Sequence, residues 1–423
     1  MNVRIQSAPR AMRMPARDVP VVEMCDICVI GGSCTGVFAA VRAAQMGAKV
    51  VLLEKQNAFG GVAGSGLVNL WHKLESNDGS QQIIGGLTRL VLDRLRAVGA
   101  VGPSPYGFTL NTQELKIELD RLVVENGVIP LLHTCYCEPV VDGDRIQAVI
   151  IQNKSGCQAV AAKAYVDASG DGDLAKDIGI PFQIRDGLQP PTTCAAIEGL
   201  PASISKLLRE HCQEFGLKPD NGWSADIPGT AARMYALTHV FETDASDAAQ
   251  LTAAEIAGRR HIRAIMDVAR KYGGEQNRPH LASLPSYIGI RETRTFQADY
   301  RLTEADVLTC RRFPDAIANG TYHVDIHNPE TGEFMFKEPA GDFYQIPLSA
   351  MISSRAPNIV LAGRTISADR AAFGAIRVMV NLNQTGEAAG VAAALAAGEG
   401  VSTGTVKSGA VREQLARLGA VVI

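Results

Sequence analysis

The run Gly31-Gly32-Ser33-Cys34-Thr35-Gly36 separates a strand-like apolar stretch at residues 26–30 from a helix-like stretch at 37–47, and it limits the possible folds more than any other feature. A glycine-rich bend that leaves a strand and opens a helix commits the chain to a βαβ unit on a parallel sheet. Val37, Ala40, Val41 and Ala44 form the helix stripe, Gly47 stops it, and a second strand follows at residues 49–54. The bend predicts a dinucleotide phosphate held on the amides and dipole of the helix N-terminus. Gly31 and Gly36 take the first and last glycine places. Ser33 holds the middle one, where its hydroxyl can hydrogen-bond a phosphate. Glu54 ends the second strand, where an acid takes the ribose hydroxyls.

NAD and FAD share this arrangement. The pair Gly60-Gly61, soon after Glu54-Lys55, points to FAD, because glycine backbone can lie along an extended cofactor. Two later segments agree with this. Asp167-Ala168-Ser169-Gly170-Asp171-Gly172-Asp173 follows a strand at residues 164–168. Ala362-Gly363-Arg364 follows a strand at 358–361 and precedes a helix from about Ala375 whose amides can face negative charge.

Between these segments the pattern predicts helices at 87–98 and 112–126, a strand at 128–133, and hairpins around Gly143 and Gly156. From about residue 180 the style changes. Proline-marked loops precede a long helix opening at a capping box, Thr252 to Glu255, and ending at Gly273-Gly274. The chain divides into an N-terminal arm (1–24), a discontinuous nucleotide-binding part (25–178 and 340–423) and an inserted α+β substrate part (179–339). The arm, with four arginines, lacks the apolar core of a secretory signal and is expected to add an edge strand near residues 15–22.

The 41 basic and 44 acidic residues leave a net charge of −3, which gives no basis for a nucleic-acid binder. The longest strongly apolar stretch, 388–397, is too short to span a bilayer. Nine cysteines in a long chain argue against a disulfide framework and for a reducing cytoplasm. Cys25 and Cys28 have CxxC spacing. Three residues apart on a strand they point to opposite faces, so they are read as small buried hydrophobes, and no metal site is expected.

On the stretches 31–36, 54–70, 167–175, 289–294, 325–327 and 363–390, the chain resembles the FAD-dependent oxidoreductase family related to the fumarate reductase and heterodisulfide reductase flavoproteins. The resemblance covers about residues 26–398. It implies an α/β, Rossmann-like fold of the glutathione reductase type with an inserted cap, and a bound FAD. Gly31, Ser33, Cys34, Gly36, Glu54, Lys55, Gly60 and Gly61 would hold its ADP half. Tyr136 would meet the adenine through its backbone, beside Ala168 and Gly170. Gly363, Arg364, Gly374 and Arg377 would lie near the ribityl chain and ring. No histidine closely precedes the glycine pair, so a covalent flavin link is not expected, and His72 is not taken as an attachment point.

Flavin oxidation of a C–H bond needs a proton acceptor beside the hydride path. His323, Asp325 and His327 alternate, so an extended backbone puts two imidazoles beside one carboxylate, and His327 is the first choice as base. Arg291 and Arg294 suit either an acidic substrate or an internal network with Glu292. Tyr344 is read as a hydroxyl donor or a core aromatic. Arg370 and Asp369 are placed near the flavin. The expected function is hydride exchange between FAD and a small polar organic molecule. The rival readings are an electron-transfer subunit serving a redox partner and a non-catalytic FAD-binding module. A homo-oligomer is compatible with each reading.

Overall fold

The structure is a computed structural model, and it describes residue 12 and residues 15–423. Its largest sheet uses strands β1 (Val21–Ile30), β2 (Val50–Leu53), β3 (Ile129–Leu131), β4 (Cys135–Asp142), β5 (Arg145–Asn153), β6 (Gly156–Asp167) and β7 (Ile359–Leu361), with helix α1 (Cys34–Gln45) crossing from β1 to β2. The order is β3-β2-β1-β6-β5-β4. β1 pairs parallel with both β2 and β6. Strand β6 changes neighbour along one edge: residues 156–161 pair antiparallel with β5, and residues 165–167 pair parallel with β7. β1, β2 and the end of β6 are apolar almost throughout, as a sheet covered on both faces requires.

Two boundaries move from expectation. Residues 15–20 carry no regular structure, and the edge strand begins at Val21 as the start of β1, where residues 21–25 pair with β6 alone before β2 joins at Ile27. Its charged residues stay solvent-accessible, Glu23 pairing with Lys49 at 2.8 Å and Asp26 with Lys163 at 2.7 Å. The rest of the arm lies outside the described residues. The long helix runs Ala248–Tyr272; Asp247, not Thr252, caps it, accepting the Gln250 N–H at 2.9 Å. Thr252 lies inside the helix, its hydroxyl donating to the Ala248 carbonyl at 2.7 Å.

That helix covers one face of a four-stranded antiparallel sheet ordered Trp223–Asp226, Arg233–Ala236, Ala195–Glu198, His280–Ser283, burying Ile197, Tyr235, Ile262 and Ile265 between them. A second hairpin, Val324–His327 with Phe334–Lys337, lies nearby in sequence but packs Val324 and Ile326 into the main core.

The expected late helix is two helices, α2 (Arg370–Ile376) and α3 (Met379–Glu399), broken at Arg377-Val378. α3 packs on α1 through Gly386 and Gly390: a Cβ at Gly390 would lie 2.0 Å from the Ala39 carbonyl oxygen. Such an approach tolerates glycine alone. Gly390→Val should therefore lower stability by about 3 kcal/mol or more, whereas Gly398→Val, which has open space around it, should cost far less. Equal losses in chemical unfolding would contradict this packing.

Cys25 and Cys28 enter the same apolar cluster rather than opposite faces. All nine cysteines are free. Burial pushes the Cys25 thiol up to about 12, so both behave as buried hydrophobes. Among the described residues no helix is long and apolar enough to cross a membrane.

Candidate active site

One cavity of about 760 Å³ runs between the main sheet and the inserted region. Ser33, Cys34 and Thr35 line it at the N-terminus of α1, with Gly60, Gly61, Ala168 and Gly170 beside them and Gly363, Arg364 and Arg377 further along. Three glycine-bearing bends far apart in sequence thus face one space. Gly31 lies under the first bend with φ +98°; a Cβ there would sit 2.4 Å from the Ala168 carbonyl oxygen. Gly61 has φ +54°, and a Cβ there would sit 2.7 Å from the Ser33 Cβ. The first amides of a helix have no intrahelical acceptor, so those of Cys34 and Thr35 are free for an anion. Ser33 caps α1, its Oγ accepting the Gly36 N–H at 3.4 Å; its own O–H stays available as a donor.

The cavity fits a large polar cofactor by a second criterion. Arg364 Nη1, Arg377 Nε, Asn383 Oδ1 and Nδ2, Asp325 Oδ1, His72 Nδ1 and His323 Nε2 are buried without partners, and all belong to residues lining this space. Buried polar atoms left unpaired are costly unless something else satisfies them.

Several of the expected residues are not among those that line the cavity. Glu54 is buried, and its oxygens accept the Gly32 and Gln56 N–H groups, each at 2.7 Å; it braces the bend rather than lining the cavity. Lys55 is exposed outside it. Gly36 is the close-packing glycine of α1, beneath the bend. The Tyr136 hydroxyl donates to Asp177 at 3.0 Å, which leaves its backbone, the part expected at the adenine, uninvolved. Gly374 packs against the Asp325 carbonyl. Arg370 donates to the Gly187 carbonyl at 2.6 Å, and Asp369 caps α2.

The Arg291–Arg294 run splits between the two readings. Arg291 lines the cavity, with Nη1 held by the Pro190 carbonyl and Thr192 Oγ1, each at 2.7 Å. Glu292 pairs with Arg185, Thr293 donates to Asp171 at 2.8 Å, and Arg294 bonds the Asp171 carbonyl at 3.0 Å and Asp173 at 3.1 Å. Arg294 is therefore a fastener, not a substrate clamp. Tyr344 is core: fully buried, its hydroxyl donates within reach of the Tyr322 and Ala375 carbonyls.

At the cavity end opposite the first bend, His327 and Asp325 lie on one face of their strand, His327 Nε2 being 3.4 Å from Asp325 Oδ2. Arg377 and Tyr322 both donate to that oxygen at 2.8 Å. Burial opposes charge on Asp325, but Arg377, His327 and Tyr322 outweigh it and hold the carboxyl well below the usual range. Burial, followed by Arg291, holds His327 down to about 2. Burial, followed by Arg377, holds His72 down to about 3; its ring packs on Tyr322 at 4.3 Å.

Both imidazoles are neutral in the fold and titrate near 6.5 when unfolded, so below that pH the unfolded chain binds protons first. Stability should fall with acid by ~1.4 kcal/mol per pH unit for each ring until the folded values are reached. The melting temperature is expected to drop between pH 7 and 5, with a shallower slope in His72→Phe. A flat profile would contradict buried neutral rings.

Sequence reasoning missed His72, Tyr287, Tyr322, Asp220 and His239. Tyr287 and Tyr322 line the cavity. His239 and Asp220 lie behind His327, and neither has a neighbouring motif that marks it.

The fold and this cavity define an FAD-binding oxidoreductase. The family model described as FAD dependent oxidoreductase matches residues 26–415, and the chain belongs to that family. No curated protein matches it. Among solved structures it is similar to a geranylgeranyl bacteriochlorophyll reductase-like protein from Thermoplasma acidophilum, with TM-score 0.49, 10% identity, and coverage of 94% of this chain and 83% of that one. It is also similar to a p-nitrophenol 4-monooxygenase from Pseudomonas putida, with TM-score 0.48, 13% identity, and coverage of 93% and 85%. A third is a myxobacterial chondrochloren halogenase, with TM-score 0.46, 14% identity, and coverage of 94% and 79%.

Proposed function

We propose that the enzyme oxidises or reduces a small polar organic molecule, with His327 as the proton-handling residue, and that within its family it is related to the fumarate reductase and heterodisulfide reductase flavoproteins. The nucleotide part is 25–178 with 340–423, and 179–339 supplies the substrate part. The observation that carries this reading is the shared cavity: the glycine-bearing bends and the Arg291, Asp325, His327, Arg377 group open into the same space.

When bound, FAD supplies a two-electron acceptor or donor for a hydride. Ser33, Cys34, Thr35, Gly61, Gly170 and Arg364 would hold its phosphates and sugar. Gly363, Arg377 and the first amides of α3 would lie by its ring, where a helix N-terminus favours negative charge. Arg291 and Arg377 orient a polar or anionic substrate group. His327, neutral at working pH, takes up a proton at Nε2 as the base, and Asp325 steadies the positive charge that results. Phe334 and Phe336 add apolar surface to the lining of the same cavity. Nine free cysteines support a reducing, cytoplasmic setting.

The test is anaerobic flavin bleaching by the purified holoprotein against acids, sugars and amines. Bleaching by one chemical class supports the reading. Protein that purifies without FAD and cannot be loaded with it overturns it. Flavin that bleaches only with an added redox partner would transfer the case to the electron-transfer reading.

A further inference from the structure

Behind His327 stands a buried chain of groups that nothing in the reading above uses. His327 Nδ1 lies 2.7 Å from His239 Nε2. His239 Nδ1 lies 2.8 and 3.0 Å from the two oxygens of Asp220. The Asp220 and His239 side chains are 3% and 2% exposed, so water does not compete for these bonds.

Proton counting fixes the direction of the chain. Asp220 Oδ1 accepts the Asn221 N–H at 2.7 Å, and Oδ2 accepts the His239 main-chain N–H at 2.5 Å. An acceptor so supplied with donors takes a further N–H from the ring, so His239 carries its proton on Nδ1. Its Nε2 is then a lone pair, and only His327 Nδ1–H can complete the 2.7 Å bond. Asp325 Oδ2 already accepts from Tyr322 and Arg377 and makes no hydrogen bond with His327 Nε2, 3.4 Å away, so His327 is left with its lone pair on Nε2, the nitrogen that lines the cavity.

The surroundings are built to this arrangement. Gly332, in the turn between the strands Val324–His327 and Phe334–Lys337, leaves room for Asp220: a Cβ there would lie 2.3 Å from Asp220 Oδ1. Phe334 packs on both rings, with centroids 4.5 Å from His327 and 6.3 Å from His239.

We propose that Asp220 and His239 are positioning residues that set the tautomer of His327, presenting Nε2 as the proton acceptor. A proton taken up there leaves Nδ1–H donating to His239, with the negative charge of Asp220 behind that ring and of Asp325 in front. The proposal rests on the base reading of His327, and its test is separable from it.

The experiment is nitrogen-15 NMR of ring-labelled histidines in the full-length, FAD-loaded protein. The chain has 8 histidines, and His239→Gln and His327→Gln identify the two signals. In the wild type both rings should be protonated on Nδ1 and bare on Nε2, with a nitrogen–nitrogen coupling across the shared hydrogen bond. Asp220→Asn removes the acceptor that obliges His239 to keep its proton on Nδ1, and both protons should shift to Nε2. A wild-type His327 protonated on Nε2, or one unmoved in a folded Asp220→Asn protein, overturns the proposal. If Asp220→Asn does not fold, the wild-type coupling decides, and its absence overturns the proposal. If these tautomers are found while His327→Ala leaves bleaching unchanged, the relay stands and the base reading falls.

Discussion

His327→Ala should retain its full complement of FAD and slow flavin bleaching by about 10²–10⁴-fold with whichever donor the screen identifies, the usual contribution of a positioned general base. Flavin content should not move because the bends that cradle the nucleotide come from other segments, around Ser33, Gly61, Gly170 and Gly363. His327 comes from a separate strand, whose residues Val324 and Ile326 anchor it in the core. Its pH dependence is part of the expectation. With the ring held down to about 2 by burial and then Arg291, the wild-type rate should show no step near the ordinary histidine value, and activity should persist into mild acid until stability is lost. Comparing single-turnover rates of wild type and variant at matched flavin occupancy checks both. Equal rates would remove His327 from the chemistry.

The second large effect is on stability. Glu387 in α3 is buried against Arg42 in α1, whose Nε donates to it at 2.8 Å, and the two side chains are 1% and 3% exposed. The same carboxylate accepts the Leu87 N–H at 3.2 Å, at the start of the helix Gly86–Ala97. One acid therefore ties three helices. Removing one member of a buried pair strands the other charge, at a cost of ~3–5 kcal/mol, a large part of a typical total of ~5–15 kcal/mol. Glu387→Ala should lower the melting temperature on the order of 5 °C or more. Arg42→Met combined with Glu387→Leu should recover most of that, since replacing both charges by apolar groups leaves nothing uncompensated. A Glu387→Ala protein that melts with the wild type would show that the pair contributes nothing.

What could be read from the sequence was local. The first βαβ unit, the glycine pair after Glu54 and the strand ending at Asp167 depend on residues close in the chain, and each appears within a few residues of its expected place. The hairpins at Gly143 and Gly156 are of the same kind. Where a distant partner decides, the reading failed. Arg294 looks like a twin of Arg291, and only Asp171 and Asp173, about 120 residues earlier, make it a fastener. The Asp220–His239–His327 chain joins residues 19 and 88 positions apart, separations at which no period or motif exists to be found.

The nucleotide groove draws its walls from segments far apart in the chain: Ser33 lines it together with Arg364 and Arg377, about 330 residues later. At ribosomal speeds of roughly 5–20 residues per second, the first wall waits on the order of half a minute for its counterpart. In that interval the apolar side of α1 has no α3 to cover it, and the slot beside the end of β6 has no β7. Closure of the groove thus waits for residues 360–399, and a ribosome stalled before residue 360 would release a chain that lacks one wall of it.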